Sequence, residues 1–382
     1  RTSLTGWTAS LSLGKEAGAN QFGVFADAIS PGFELNDAGF LTSADRGRLQ
    51  AFANRRCTRP GKVFRSAFAG NNSGVDLDFG GARTNAWYNL NLNGQFLNYW
   101  GVWASYGITF RSLSDRLTRG GPRASSPQSW FVSGGVRSDF RKRIVLNLWN
   151  NYNRDELGGS GFWGGGYVTL RPSTAVSVAL GPEYSASNSI LQYVQAQRDT
   201  TAAATYGRQY VFAQIRQKSL DLTTRLNVTF SPTLTLQLYT QPFVATGDYY
   251  RFKELARPRS LDYVVYGETP GSSLRCFDAA DTEILPCASA TAAAYYVANP
   301  DTTGSRQDVG IGSRDFSSRS LRGNLVLRWE YRPGSTLFLV WTTACSAFGS
   351  DPRFNAGDDL GQLCTGPSDN VFAVKLNYWL SF

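Results

Sequence analysis

Six charged side chains alternate with apolar neighbours. Asp221 and Arg225 lie in LDLTTRLNVTF, Arg322, Arg328 and Glu330 in LRGNLVLRWE, and Lys375 in VFAVKLNYWL. Residues of one parity share a face of a strand. Mixed charge on one face with leucines on the other suits a sheet that has water on one side and lipid on the other. Charges placed there would set which ions or sugar acids pass. Their plainer role is cross-strand pairing that braces the wall.

Other chemistry is restricted by what the chain lacks. With His 0, Ser-His-Asp and Cys-His catalysis and every His-containing zinc site are excluded. The run GGSGFWGGGY at 158–167 is followed by no Lys-Ser or Lys-Thr, so its glycines read as relief of crowding rather than a phosphate loop. Hydrolysis would need paired carboxylates, and no sequence-local pair stands out. An enzyme is not expected, nor is a cofactor or a metal.

Several loop residues remain candidates. Asp278, Asp281 and Glu283, and Asp351, Asp358 and Asp359, offer oxygens of the kind calcium takes, but without EF-hand spacing they read as solvated acids. Asn36, Asp37 and Asp45 follow Pro31-Gly32 and are candidates for a loop fold or an extracellular site. Cys276 and Cys287 share one polar loop and Cys345 and Cys364 flank another, so both pairs are disulfide candidates in an oxidising compartment, while Cys57 stands alone.

The net charge of +9 comes from 38 Lys and Arg residues, only six of them Lys, scattered singly without a dense basic run. Nucleic acid is therefore not expected as a partner.

The elements that carry these residues read as strands. In the closing segment, Phe372, Val374, Leu376, Tyr378, Leu380 and Phe382 alternate with smaller or polar residues. Such runs reach about ten residues, the length a tilted strand needs to cross a bilayer and longer than most strands of soluble sheets. Two stretches without charge, 84–110 and 226–247, are long enough for a membrane helix but read as hairpins. The first is rich in Asn and centres on Asn93-Gly94, a strong turn signal, and the second breaks at Ser231-Pro232.

Connections alternate in length. Tight ones are expected at 93–94, 138–143, 171–174, 231–233 and 332–335, and long ones at 31–45, 111–128, 244–319 and 346–369. Short periplasmic turns opposite long extracellular loops are the outer-membrane arrangement. The expected fold is all-β: one transmembrane antiparallel up-and-down β-barrel over residues 1–382, with about 16–18 strands. A count near seventeen puts the residues before Leu4 on the extracellular side. That implies missing N-terminal strands or a misjudged connection near Gln217-Lys218. The lack of an initiator Met likewise suggests a C-terminal piece of a longer protein.

The phrases SPGFELNDAGFLTSAD (30–45), LTTRLNVTFSPTLTLQLYTQPFVATGDYYRFKEL (222–255), SLRGNLVLRWEYRPGSTLFLVW (320–341) and DNVFAVKLNYWLSF (369–382) resemble the C-terminal region of a bacterial family. In that family a carbohydrate-binding domain of the family-9 type precedes an outer-membrane barrel known only as a numbered domain of unknown function. The resemblance implies location in the bacterial outer membrane and an upstream sugar-binding module with further strands. The closing strand with its terminal Phe resembles the signal read by the barrel assembly machinery. The expected partners are thus the lipid bilayer, that machinery, and a glycan or small solute. The leading expectation is a polar-lined pore for solute, carbohydrate included. The alternatives are a plugged barrel anchoring an upstream glycan-binding or hydrolytic module, and a soluble all-β binding protein.

Overall fold

The computed structural model describes residues 5–37, 39–287, 293–304 and 306–380. Strands β1 (Thr8–Lys15), β2 (Asn20–Ile29), β3 (Arg46–Cys57), β4 (Phe64–Leu77), β5 (Arg83–Phe96) and β6 (Gly101–Thr109) pair each with the next. The short β7 (Ser112–Ser114) and β8 (Ala124–Ser126) form a separate hairpin before β9 (Ser129–Arg137), which pairs with β6. The meander continues through β10 (Ile144–Asp155), β11 (Ser160–Ser173), β12 (Val176–Arg198), β13 (Arg208–Ser231) and β14 (Leu234–Leu255). Next, β15 (Tyr263–Val265) adds to the end of β14, and β16 (Ser273–Phe277), β17 (Tyr295–Asn299) and β18 (Val309–Gly312) form their own sheet. Finally β19 (Phe316–Arg332) returns to pair with β14, followed by β20 (Ser335–Gly349), a short helix α1 (Ala356–Gly361) and β21 (Ser368–Asn377). The result is a 16-stranded antiparallel sheet. No described helix is long and apolar enough to cross a membrane.

Register keeps one set of side chains together from end to end. Leu226 of β13 lies opposite Val178 and Leu238, Leu238 opposite Leu325, Leu325 opposite Trp341, and Trp341 opposite Phe372. On the other parity Arg225 faces Tyr239, Tyr239 faces Asn324, and Asn324 faces Thr342. The same division runs back to β1, where Leu11 and Leu13 continue the apolar face against Ala26 and Val24. A slip of one residue in any strand would exchange the two faces, so the pattern fixes register. Asn71 and Asn150 are exceptions, standing on the apolar side opposite Ala53 and Leu90, and Gly134 and Gly164.

The alternation of connection lengths is present. One rim carries the links 16–19, 58–63, 97–100, 138–143, 174–175, 232–233 and 333–334. The opposite rim carries every long one, at 30–45, 110–128, 256–315 and 350–367, together with 78–82, 156–159 and 199–207. Three expectations are corrected. Asn93-Gly94 is not a turn but mid-strand in β5, and the chain reverses at 97–100, where Tyr99 takes φ 67° and the Asn98 side chain accepts from Trp100 N–H. There is no break at Gln217-Lys218, since β13 runs through both. The long connection begins at 256, because β14 extends well beyond the apolar belt.

The sheet is not a closed ring among the described residues. β1 and β21 each have a partner on one side only, and their residues are exposed throughout.

Candidate functional site: the polar face and the cavity at its rim

The polar face has two sectors of different chemistry. From β12 to β21 it is charged. Glu183 lies opposite Asp221; Trp163 Nε1 donates to Glu183, while Gln241 Nε2 (2.5 Å) and Thr223 Oγ1 (3.0 Å) donate to Asp221. The Arg225 guanidinium sits 5.3 Å from the Tyr239 ring, and Arg328 pairs with Glu330 at 2.9 Å. Arg322 faces Gln241, and Lys375 faces Phe338. The six charges singled out from the sequence therefore share this face, and four of them are held by neighbours on it.

From β4 to β11 the face is aromatic and amide. Trp87, Trp103, Phe131, Trp149, Trp163 and Tyr167 alternate with Asn89, Asn91, Asn93, Asn147 and Asn151. Charge is absent from this face of β5 between Asn85 and Gln95 and from all of β6. Several rings fill the space a side chain would need on the glycine directly opposite: Trp87 over Gly74, Phe131 over Gly107, Trp103 over Gly135 and Phe52 over Gly23. A ring that stood upright could not reach the next strand's Cβ position, so these rings lean across the sheet. Sequence reasoning missed this sector. Its local signal is the alternation of Asn with aromatics in 85–95 and 147–153, but which glycine each ring covers depends on register.

At the rim of the long connections, β13 and β14 run past the leucines of their apolar face, and the residues of that parity become Arg216, Asp248 and Tyr250. A cavity of about 550 Å³ opens here, lined among others by these three and by Glu268, Tyr296 and Asp315. Arg216 lies 3.5 Å from Asp248 and stacks 4.0 Å from the Tyr250 ring centre, whose hydroxyl donates to Asn188 at 2.8 Å. Asp315 accepts Tyr249 N–H at 2.7 Å. Burial, with Asp248 close by, pushes its carboxyl up to about 6, so the cavity changes charge in a mildly acidic range.

Beneath the cavity, the 256–315 connection is packed as a core. Phe252, Tyr266, Cys276, Tyr296 and Ile311 are buried together with Val194 and Val211 of the β12–β13 hairpin. Arg306 bridges Asp199 (2.8 Å) and Glu254 (2.7 Å), both carboxylates fully buried, and Tyr266 donates to Glu254 at 3.0 Å. Desolvation opposes ionisation of Asp199, yet hydrogen bonds from Thr201 and Arg306 hold its carboxyl down at about 2. Glu254 is shifted the other way, because its desolvation outweighs its share of Arg306.

The remaining candidates fold loops. Asn36 Oδ1 accepts from Leu41 N–H at 2.9 Å, Asp45 (φ 54°) accepts from Phe79 N–H at 2.9 Å, and Asp37 is an exposed turn residue. Among the acids, Asp278 caps its own turn, Glu283 pairs with Arg275, Asp359 with Arg319 and Asp351 with Arg353. No metal-holding cluster of three such groups occurs among the described residues. Cys345 and Cys364 are bonded, whereas the other expected pair is corrected: Cys276 and Cys287 are neighbouring thiols. Burial, then contact with Cys276, pushes the Cys287 thiol up to about 12. Of the closing segment, Phe372, Val374 and Leu376 lie on the apolar face of β21, Tyr378 and Leu380 follow it, and Phe382 lies outside the described residues.

Among curated proteins, none matches the chain. A family profile does match, over residues 1–270, so the match ends beyond β15 and the sheet continues past it through β19, β20 and β21. By that match, which covers well over half of its length, the chain belongs to the family described as Domain of unknown function (DUF5916).

Proposed function

We propose that this chain forms the wall of a β-barrel in the bacterial outer membrane, with its polar face enclosing a path for solutes. The observation that carries this reading is the sidedness kept from β1 to β21, apolar residues on one face and most of the charge, amide and hydroxyl on the other. A soluble sheet would cover its apolar face with a second layer. Here Leu92, Leu148, Leu180 and Leu339, on the apolar face of strands paired on both sides, lie 40% or more exposed, and that face suits acyl chains. Placement of every long connection on one rim supports an extracellular side there.

In hydrocarbon no strand edge is left unpaired, so the free edges of β1 and β21 must meet partners. Both strands run from the long-connection rim to the short-turn rim, so joining them directly would be parallel. An odd number of further strands closes the ring antiparallel. The charged sector then faces the path and sets ion preference, as rings of charge do in channels.

The test is refolding into detergent and planar bilayers. Heat-modifiable gel mobility and discrete ionic conductance are expected. A protein that stays soluble without detergent, or inserts without conducting at any voltage, would contradict the pore.

A further inference from the structure

We propose that the neutral sector of the polar face, β4 to β11, is a track for uncharged oligosaccharides. The inference rests on the pore reading for its access to solute, but the chemistry of the wall argues it independently.

Three features coincide. First, the rings lean over the sheet instead of standing upright from it, with the Arg48 guanidinium 5.3 Å from the Trp87 ring centre. Trp87, Trp103 and Phe131 occupy the Cβ space of Gly74, Gly135 and Gly107 on the adjacent strand, which lays each ring across the sheet. Trp149 lies beside Trp163 and Tyr167 at centroid separations of 6.2 and 5.5 Å. A pyranose offers an apolar face of C–H groups, and a flat aromatic face is the surface that covers it.

Second, amides separate the rings. Asn91 accepts from Ser105 at 2.9 Å and Asn89 donates to Asn72 at 3.0 Å, which uses only part of the donor and acceptor capacity of each amide. Sugar hydroxyls both donate and accept, so they suit the remainder. A recess of about 400 Å³, lined by Asn93, Gln95, Trp103, Arg137 and Asn147, gives one such position near the short-turn rim.

Third, the rings form a sequence across the wall. Following register, Tyr167 lies opposite Asn147, Trp103 and Trp149 are both opposite Gly135, Trp163 is opposite Asn151, Phe131 is opposite Asn153 and Trp87 is opposite Thr109. These rows climb β5 from Gln95 to Trp87, about 27 Å along a strand. Charge appears on this face only toward the strand ends, at Asp76, Arg137, Asp155 and Arg171. A charged solute would find its counter-charges on the opposite sector, whereas a neutral chain of sugars finds stacking and hydrogen bonding here.

The experiment titrates the full chain in detergent with maltohexaose and with cellohexaose, reading intrinsic tryptophan fluorescence, and repeats the titration as block of ionic current in bilayers. Saturable quenching by at least one sugar is expected. Trp103→Ala combined with Trp149→Ala should weaken it about tenfold, Trp103→Phe should retain most of it, and Trp341→Ala on the outer face should leave it unchanged. Each variant is compared only after its heat-modifiable mobility matches the wild type. No saturable response to either sugar, or a response indifferent to the inner tryptophans, overturns the track. Conductance without sugar binding removes the track and leaves the pore; sugar binding without conductance removes the pore and leaves the track as a binding wall.

Discussion

Glu183 of β12 and Asp221 of β13 stand directly opposite one another on the polar face, two carboxylates sharing one row of the sheet. Each is held by an uncharged donor, Trp163 for Glu183 and Gln241 for Asp221, rather than by an arginine. Like charges directly opposite one another destabilise a sheet. Glu183→Gln should therefore stabilise slightly while shifting the reversal potential of the conducting protein toward anions. An unchanged reversal potential under a salt gradient would remove this pair from the ion path.

The 256–315 connection hangs on Arg306. Its loss strands two buried carboxylates, Asp199 and Glu254, and breaking a buried pair in this way costs about 3–5 kcal/mol. Arg306→Ala should expose this connection to proteolysis while the apolar belt stays protected. The sign of the pH effect follows from Asp199, held at about 2 against an unfolded value of about 3.9. Its contribution is complete above that unfolded value and disappears as pH falls toward about 2. Hydrogen exchange across the connection, with and without Arg306, reads both effects.

Asp315 carries the opposite sign. Its carboxyl is raised to about 6, so the folded state binds its proton more tightly than the unfolded chain does. Stability at the cavity is greatest below the unfolded value near 3.9 and falls as pH rises through about 6. Asp315→Asn keeps an acceptor for Tyr249 N–H and should flatten the protection from exchange, taken relative to the intrinsic rate at each pH, at the start of β19 across that window. A persistent pH slope in the variant would assign it to Asp248 or another group.

Gly74 and Trp87 test the leaning rings without any ligand. A methyl group at Gly74 collides with the Trp87 ring, and overpacking of this kind costs about 1–3 kcal/mol. Gly74→Ala should lower the temperature at which heat-modified mobility appears. Gly310, where the space for a side chain is open, should tolerate the same change.

Much of this organisation was legible because period-two alternation is local. The runs around Leu226, Leu325 and Val374 identified strands and their faces, and the six charged candidates fell on the polar side as read. Asn93-Gly94 misled because turn propensity is weaker than ladder pairing on both sides: Gly94 faces Ala67 and Val102, with Phe64 folded over it. The sheet of β16, β17 and β18 was not foreseen, since five-residue strands such as β16 and β17 inside a long polar connection leave little periodic signal. The neutral aromatic sector was missed for a different reason. Asn and Trp on one parity read simply as a polar face, and only cross-strand register shows that several of the rings meet a glycine.

Leu226 and Asn227 are adjacent in β13 and point to opposite faces, Leu226 toward Leu238 and Asn227 toward Gln237. Single cysteines at these two positions, in protein whose own thiols have been replaced and which is reconstituted in liposomes, meet different surroundings. With a membrane-impermeant maleimide, Asn227→Cys should label readily and Leu226→Cys should remain unmodified until detergent is added. Equal labelling of both, or labelling of Leu226→Cys alone, would show that the leucine face does not meet lipid.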